Sequence, residues 1–315
     1  MLIAQTKSTN PISSIFLISF FWLMNLGLSF REAYINFPTW SDLPLTELIT
    51  AQIFILATSI FLNKTLRQNK LVGVGDALSG VLFLVFIMGI NNVHQYYREF
   101  ISLFLITLGN HQLIGLYNVK KNYLKEFEIG ILFGLSVVIS PNLFLIISMI
   151  FVGVTIVVPF TWRDFIVPLL GFFWVLVAKL SLFFLLGIWD FNILYNLYFS
   201  VPELKGDFDF NHILLLLLCL FEFVLFYRVF SILSKRSIRE RVFYWLWLWT
   251  FIFFFLSLLL FQESFDEFIL IALLGLPCSI FSVEYFIKKG KLRGYWKKEI
   301  LIYLFIIIQF SLRIY

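Results

Sequence analysis

Long apolar stretches, separated by short polar segments, run through almost the whole sequence. Most of them hold about 17 to 22 residues, the length at which an α-helix crosses the hydrocarbon core of a bilayer. The pattern predicts about eleven membrane-spanning helices, over Ile12–Phe30, Leu45–Leu62, Ala77–Ile90, Phe100–Tyr117, Glu128–Ile139, Asn142–Val158, Phe165–Trp189, Asn211–Phe230, Val242–Phe261, Phe268–Ile287 and Glu299–Leu312.

The apolar stretch from Glu128 to Val158 is too long for one helix. It holds 31 residues, whereas a bilayer core of about 30 Å needs about 20 residues at a rise of 1.5 Å each. Ser140-Pro141-Asn142 divides the stretch, and the residue before a proline is disfavoured in helical conformation. We therefore predict a turn there, between two spans. The first of these, Glu128–Ile139, is short, and it is either a tilted span or a re-entrant half-helix.

Positively charged residues fall mainly in every second connecting segment. With the N-terminus in the cytoplasm and strict alternation, 19 of the 24 Lys and Arg residues lie in cytoplasmic segments. The outer segments hold only Arg31, Arg98, Lys205 and Arg313, while Lys179 lies inside a span. An excess of this kind is typical of cytoplasmic loops. It predicts an N-terminus inside and a C-terminus outside a cytoplasmic (inner) membrane.

The composition excludes a soluble globular protein. Hydrophobic residues make up 61% of the 315 residues and charged residues 14%, against about a half and about a quarter in soluble domains. The net charge of +5 is spread over alternate loops, where membrane lipids with anionic headgroups, and not nucleic acid, are the expected neighbours. The loops are too short to hold a soluble catalytic domain. We predict an all-α, polytopic membrane helix bundle that forms a single domain over 1–315.

Two charged residues lie well inside predicted spans, where ionisable groups are costly and mark functional candidates. Lys179 and Glu222 fall about ten residues from the outer ends of consecutive antiparallel spans, or about 15 Å below the outer surface at 1.5 Å per residue. We therefore predict an intramembrane Lys179–Glu222 ion pair. Two alternatives stay open: Lys179 extends its ammonium group to the interface, or Glu222 is protonated beside a polar neighbour.

The first outer loop places two carboxylates just after the first span. An acidic residue here, Glu32 or Asp42, can serve as a general base for an acceptor, or can bind a metal ion that holds a diphosphate. We take both as candidate catalytic residues. The alternative is that Glu32 is a charge at a helix end and Asp42 a loop residue, since a loop of about 14 residues is short for an active site.

A second candidate lies between the sixth and seventh spans, at Trp162, Arg163 and Asp164. Tryptophan is enriched at membrane interfaces. Arg163 and Asp164 could hold a lipid phosphate, but an acidic residue in the first turn of a helix is favourable without any function. Asn110-His111-Gln112 forms a polar group in the fourth span, where it serves an interhelical hydrogen-bond cluster or a proton or ion path.

The spacing of the histidines and cysteines indicates no metal site. The three histidines, His94, His111 and His212, share no metal-ligand spacing, and we predict no metal site. Cys219 and Cys278 lie in apolar runs without a zinc-type or disulfide pattern. The sequence leaves the identity of any cofactor unknown.

The stretch from Ser140-Pro141 to Leu169-Leu170-Gly171 resembles a family of bacterial polytopic inner-membrane proteins of unknown function. Its members combine a Pro-interrupted apolar stretch with a Pro-Phe-x-Trp-Arg-(Glu/Asp) turn, here 159–164, and a following helix that contains glycine. The resemblance covers nearly the whole chain in length and in number of spans. Such proteins are sometimes labelled carotenoid oxygenases, but that chemistry requires four clustered histidines, and this chain has three, none of them clustered.

More distantly, the layout is similar to that of multi-span glycosyltransferases that use polyprenyl-phosphate sugars. Those proteins share an inside N-terminus, many spans and an outward acidic loop after the first span. The resemblance implies that Glu32 matches their catalytic acid and that an outer groove binds the polyprenyl-phosphate lipid. This chain departs from their pattern, because it lacks a clear Asp-Asp or Glu-x-Asp signature and its first loop is shorter.

Three functions are compatible with these features. The first is a lipid-linked sugar transferase, or a non-catalytic relative, acting in cell-envelope assembly. The second is a structural or accessory subunit of a larger membrane complex, in which faces rich in the 41 phenylalanines pack against other membrane protein subunits. The third is an ion-coupled transporter, which Lys179, Glu222 and the broken apolar stretch favour. The sequence alone leaves open which of these is correct.

Overall fold

Helices account for the regular structure of the described part of the chain. The structure is a computed structural model, and it describes residues 11–36, 44–69, 71, 77–117, 122–157, 161–187, 225–227, 229–231, 233, 235–260, 267–287, 300, 303, 306, 307, 309 and 313. These residues form helices and turns and no β-strand. The all-α prediction is therefore confirmed for the described residues.

The helix boundaries follow the predicted apolar stretches closely. The described α-helices are α1 (Pro11–Asn36), α2 (Leu45–Gln68), α3 (Leu78–Ile87), α4 (Tyr97–Gly115), α5 (Tyr123–Ile139), α6 (Ser148–Val157), α7 (Trp162–Leu185), α8 (Ile238–Leu260) and α9 (Glu267–Ile287). Two 3₁₀ helices, Val93–Tyr96 and Pro141–Ile147, precede α4 and α6.

Three of these helices are long and apolar enough to cross a membrane. They are Ser14–Asn36 within α1, α2 and α7, and shorter apolar helices cover Leu78–Ile87, Pro141–Val157 and Ala272–Val283. These segments are compatible with a membrane protein. The number of about eleven spans and their orientation stay predictions. The predicted spans Asn211–Phe230 and Glu299–Leu312 lie mostly outside the described residues.

The chain divides into two compact units. The first comprises 1–100, 208–240 and 267–315. At its centre is α3, all ten residues of which are buried, and α1, α2 and α9 pack against it. A helix that is apolar on every side is expected in the interior of a bundle. The predominantly apolar sequence of α3 therefore accounts for its position at the centre of the first unit.

A side chain of α2 caps the start of this buried helix. Asn63 Oδ1 accepts hydrogen bonds from the Ser79 hydroxyl at 2.5 Å and from the Gly80 amide at 3.0 Å. The first N–H groups of a helix have no partner within it, so this contact satisfies a donor that would otherwise be buried alone. Gly80 lies so close to Asn63 and the Ser59 carbonyl that a Cβ at position 80 would overlap them.

The second unit comprises 101–207 and 241–266, and its main feature is the close packing of α5 on α7. Gly130 and Gly134 of α5 lie against the backbone of α7 around Pro168 and Phe172, while Gly171 of α7 lies against Phe127. The contacts advance in the same direction along both helices, so α5 and α7 run parallel. Small residues four positions apart allow two helices to approach each other this closely.

The predicted break between α5 and α6 is confirmed. α5 ends at Ile139, and Ser140 has extended backbone angles. Pro141 then opens the 3₁₀ helix, within which Leu143 departs from helical angles. The break is therefore a 3₁₀ connection that restarts the helix, where the sequence predicted a turn.

Candidate functional site

Three polar residues occupy one face of α1. Asn25, Ser29 and Glu32 are spaced by four and three positions, which places them on the same side of a helix. Asn25 and Ser29 are buried in an otherwise apolar stretch. Polar groups in such a position require hydrogen-bond partners, and the partners identify the site.

The guanidinium of Arg313 is the common partner of this face. Its Nε donates to Glu32 Oε1 at 2.5 Å and its Nη2 donates to Glu32 Oε2 at 3.2 Å and to the Ser29 hydroxyl at 2.7 Å. Its Nη1 donates to Asn25 Oδ1 at 2.5 Å and to the Met88 carbonyl at 3.4 Å. The guanidinium group of an arginine side chain has five N–H donors, and here every one has an acceptor. We call Asn25, Ser29, Glu32 and the Met88 carbonyl the guanidinium cage.

The carboxylate of Glu32 is occupied on both oxygens. Besides Arg313, the backbone amide of Asn92 donates to Glu32 Oε2 at 3.1 Å. Asn92 has left-handed backbone angles, with φ 51°, a conformation that asparagine adopts more readily than most residues. The Asn92 side-chain oxygen accepts a hydrogen bond from the side-chain amide of Asn36 at 2.8 Å. This contact holds Asn92 against the end of α1.

Gln52 of α2 is hydrogen-bonded to two residues of the cage. Its Nε2 donates to the Ser29 hydroxyl at 3.0 Å, and its Oε1 lies 3.5 Å from the Asn25 amide nitrogen. The Ser29 hydroxyl donates in turn to the Asn25 carbonyl at 2.9 Å. The indole of Trp22 donates to the Gln52 carbonyl at 3.1 Å, so α1 and α2 are joined through the cage.

The site is charge-balanced and almost closed to solvent. The Arg313 side chain is 0% exposed and the Glu32 side chain 16% exposed, so the ion pair lies in a region of low dielectric constant. A buried pair of this kind requires good geometry and satisfied hydrogen bonds to offset its desolvation. The five donor contacts of Arg313 meet that requirement.

His94 lies at the same end of the first unit. Burial lowers the pKa of His94 from its ordinary value of 6.5, and the carboxylates of Glu32 and Glu47 oppose that shift. The neutral imidazole is therefore the form that the fold favours. His94 belongs to the 3₁₀ helix Val93–Tyr96, which begins directly after Asn92, the residue whose amide donates to Glu32.

The predicted catalytic residues are placed as follows. Glu32 lies at the end of α1, with both oxygens engaged within the fold, and its catalytic role stays a prediction. Asp42 lies outside the described residues. Sequence reasoning missed Asn25, Ser29, Gln52 and Arg313. The signal for the first two was present, since buried polar residues at helical spacing in an apolar span indicate a polar partner.

The predicted intramembrane pair is only half described. Lys179 is half-buried, and its Nζ donates to the Val138 carbonyl at 3.3 Å and lies 5.7 Å from the centre of the Phe183 ring. Val138 is in the last turn of α5, where a positive charge is favoured by the carbonyl groups of the helix end. Glu222 lies outside the described residues, so the Lys179–Glu222 pair stays a prediction.

The predicted interfacial group lies at the start of α7. Trp162 and Arg163 are exposed, whereas Asp164 is buried in the first turn. An acidic side chain there stabilises the helix N-terminus. Their contact with a lipid phosphate stays a prediction.

The predicted polar group of α4 makes an interhelical hydrogen bond. Asn110 donates to the Thr250 hydroxyl of α8 at 2.9 Å, and both residues are buried. The structure thus contains the hydrogen-bonded arrangement expected for this group. Within the described residues, no three His, Cys, Asp or Glu side chains are grouped so as to hold a metal ion.

These features define a helical protein with several helices that suit a bilayer. The chain belongs to a family of unknown function, DUF6427, whose sequence profile matches residues 8–315. The expectation of an uncharacterised family is thereby confirmed, whereas its bacterial origin and the likeness to glycosyltransferases stay predictions. The chain is also similar to the core protein A15 homolog of fowlpox virus (strain NVSL), with 33% identity over 84 residues, which are 26% of this chain and 76% of that protein. No solved structure matches the chain.

Proposed function

We propose that this chain is a multi-pass inner-membrane protein that acts as a structural or accessory subunit of a larger membrane assembly. The observation that supports this most is that Arg313 and the guanidinium cage are hydrogen-bonded to each other. All five N–H donors of Arg313, and both oxygens of Glu32, are engaged within the fold.

A catalytic carboxylate needs an oxygen that can reach the substrate proton or a metal. Glu32 already accepts three hydrogen bonds, from Nε and Nη2 of Arg313 and from the Asn92 amide, out of about four that a carboxylate can accept. Taking up a proton as a general base would also neutralise the partner of Arg313. Leaving Arg313 without its partner would then bury an uncompensated charge, which costs several kcal/mol. The pair therefore suits a fixed structural role better than a reaction cycle.

The outer face of α7 supports membrane embedding and contacts with other subunits. Trp162 is 75% exposed and Trp174 is 64% exposed. Several aliphatic and aromatic side chains along the same helix are exposed as well, namely Ile166, Leu170, Phe173, Val177, Leu182 and Leu185. Such a surface is unfavourable in water, and lipid tails or apolar partner helices would cover it.

The predicted alternation of spans is supported by contacts between connecting segments. The Glu32–Asn92 contact joins two segments that alternation puts on the outer side. Arg239 Nε donates to Asn69 Oδ1 at 3.1 Å, which joins two segments on the opposite side. Each contact links ends that a strictly alternating chain would bring together.

The test is to purify the native protein in mild detergent and to identify bound proteins and lipids by mass spectrometry. We expect a partner protein in fixed stoichiometry. In a second experiment, the gene for this protein is deleted from the native organism. The deletion strain is then complemented with wild type, with the double variant Glu32→Gln/Arg313→Gln, or with Arg31→Gln, which changes an exposed neighbouring residue and serves as the control. At matched amounts of folded protein, all three should restore the cell envelope. Loss of an envelope glycan in the double variant alone would contradict an accessory role.

The lipid-linked sugar transferase is the second candidate. It is favoured by the position of Glu32, whose side chain keeps 16% exposure at the end of α1 that the sequence predicts to face outward. Co-purification of polyprenyl-phosphate or its sugar adduct, without a stoichiometric partner, would support it. An ion-coupled transporter is the third, resting on Lys179 and Glu222, and it requires substrate-dependent uptake or current in proteoliposomes.

A further inference from the structure

We propose that the guanidinium cage is a binding site for a guanidinium cation, which the chain fills with its own Arg313. The ligand class is a planar guanidinium group, either on a side chain or as a free cation. This inference goes beyond an accessory role, because it concerns what the cage recognises, and it holds whichever of the candidate functions is correct.

The acceptors of the cage match the shape of the ligand. Glu32 offers two oxygens to one edge of the guanidinium, and Asn25 and Ser29 accept on its remaining sides together with the Met88 carbonyl. Two parallel contacts to a carboxylate are the typical recognition mode of this group. An ammonium ion has three donors in a tetrahedral arrangement, and it would leave several of these acceptors without a partner.

The acceptors are held in place by contacts that do not involve Arg313. Gln52 orients Ser29 and Asn25 through the contacts of 3.0 and 3.5 Å. The Asn92 amide holds the Glu32 carboxylate. The Met88 carbonyl belongs to the backbone at the end of α3. A site whose groups are fixed before binding loses little entropy when the ligand enters, so the cage should persist when the Arg313 side chain is removed.

A buried acceptor beside the cage has no partner among the described residues. Gln309 Oε1 is unpaired, and Gln309, 1% exposed, packs against Gly89, the residue after Met88. Arg313 and Gln309 are helical residues four positions apart, so they lie on one face. Arginine has five N–H donors, whereas a free guanidinium ion has six. As part of the proposal, Gln309 is the candidate acceptor for the sixth donor of the free ion.

The experiment is a chemical rescue of Arg313→Ala in nanodiscs. Thermal unfolding is followed with millimolar guanidinium chloride and, separately, with the same concentration of sodium chloride. We expect the variant to unfold at a lower temperature than wild type, and guanidinium, but not sodium, to recover about half of that loss or more, since a ligand that binds only the folded state stabilises it. Denaturation by guanidinium has the opposite sign, so it cannot imitate the rescue.

Three controls locate the effect in the cage. Wild type should show no stabilisation, because Arg313 already fills the site. Arg313→Ala/Glu32→Gln should show no rescue, because the cage has lost its carboxylate. Arg31→Ala, which removes an exposed arginine next to Glu32, should behave as wild type. An equal response of Arg313→Ala and wild type, or an equal response to guanidinium and sodium, would overturn the proposal.

A variant that fails to fold still gives an answer. Arg313→Ala can be made by cell-free synthesis into nanodiscs with or without millimolar guanidinium, and the yield of folded protein is then the measured quantity. A several-fold higher yield with guanidinium than with sodium chloride supports the site, and equal yields refute it. Arg313→Lys should give less folded protein than wild type, because its ammonium group leaves several cage acceptors without a partner, and it should gain nothing from the additive, because its side chain occupies the cage.

Discussion

The guanidinium of Arg313 and the carboxylate of Glu32 form a two-point ion pair although they lie 281 positions apart in the sequence. The pair ties Arg313 to the end of α1, and the Met88 carbonyl adds a contact to the end of α3. Because both charges are buried or nearly so, the first compact unit depends on this contact being complete.

Removing one charge of this pair should be more damaging than removing both. We expect Glu32→Gln or Arg313→Met alone to lower the free energy of unfolding by about 3 to 5 kcal/mol. Glu32→Gln leaves the buried charge of Arg313 without its counter-ion, and Arg313→Met leaves the charge of Glu32 without its own. Glu32→Gln/Arg313→Met should lose clearly less than the sum of the two. The measurement is a denaturant titration in mixed micelles. Additive losses would show that the two side chains are not coupled.

Glycine in α5 should be required for its packing on α7. Gly130→Leu places a side chain against the Pro168 carbonyl, and overpacking of this kind costs about 1 to 3 kcal/mol or more. Gly27→Ala on α1 is the matched control, since a Cβ there meets nothing within 4 Å and alanine is the better helix former by up to about 1 kcal/mol. Unfolding temperatures in detergent decide this. A Gly130→Leu protein as stable as Gly27→Ala would contradict the close approach.

His94 should make stability depend on pH on the acid side. Its pKa is lowered in the folded protein from 6.5, mainly by burial, so below that value the unfolded chain binds more protons than the folded one. The contribution of neutral His94 is complete above pH 6.5 and is lost as the pH falls toward the lower folded pKa. His94→Gln should remove this part of the loss. The test compares unfolding temperatures of both proteins between neutral and acid pH, and parallel curves would exclude His94.

The Lys179–Glu222 pair is testable by a double-mutant cycle. If the pair forms, Lys179→Met should destabilise the protein, and Lys179→Met/Glu222→Leu should recover part of the loss, because neither charge is then left alone. Lys179→Arg is the control that keeps the charge near the Val138 carbonyl. The free energies of unfolding of the four proteins give the coupling. A coupling near zero would assign Lys179 to the end of α5 alone.

The orientation of the chain can be read from cysteine labelling. In a protein with Cys219 and Cys278 replaced by alanine, Tyr34→Cys and Lys235→Cys introduce thiols at two exposed positions. A membrane-impermeant maleimide should label position 34 in intact spheroplasts and position 235 only after permeabilisation. The reverse pattern would invert the predicted orientation, and labelling of both from one side would contradict the alternation.

Much of the helical framework could be predicted from the sequence. The apolar stretches locate the described helices, because a bilayer demands a minimum apolar length, although α1 and α2 each extend six residues beyond the predicted span and α5 begins five residues before it. Pro141 marks the interruption, because its ring excludes a regular helix at the preceding residue. The capping of α3 by Asn63, by contrast, depends on a contact between helices that no local pattern reveals.

The contacts that define the site could not be predicted in the same way. Arg313 was counted only as one of four outer basic residues, since its partner 281 positions away leaves no periodic signal. The spacing of Gly130 and Gly134 was visible in the sequence, but the two glycines acquire meaning only with Gly171 on the facing helix. Pairing between distant segments is decided by tertiary packing, which hydropathy and charge counts do not contain.

The separation of Glu32 and Arg313 has a consequence for biosynthesis. At a translation rate of about 5 to 20 residues per second, Arg313 follows Glu32 by roughly 15 to 60 s. During that interval Asn25, Ser29 and Glu32 are made but have no guanidinium to bind. The nascent chain therefore carries these three polar residues without their guanidinium partner while the second compact unit is synthesised. The first compact unit therefore lacks the contact between its distant segments until residue 313 has been made.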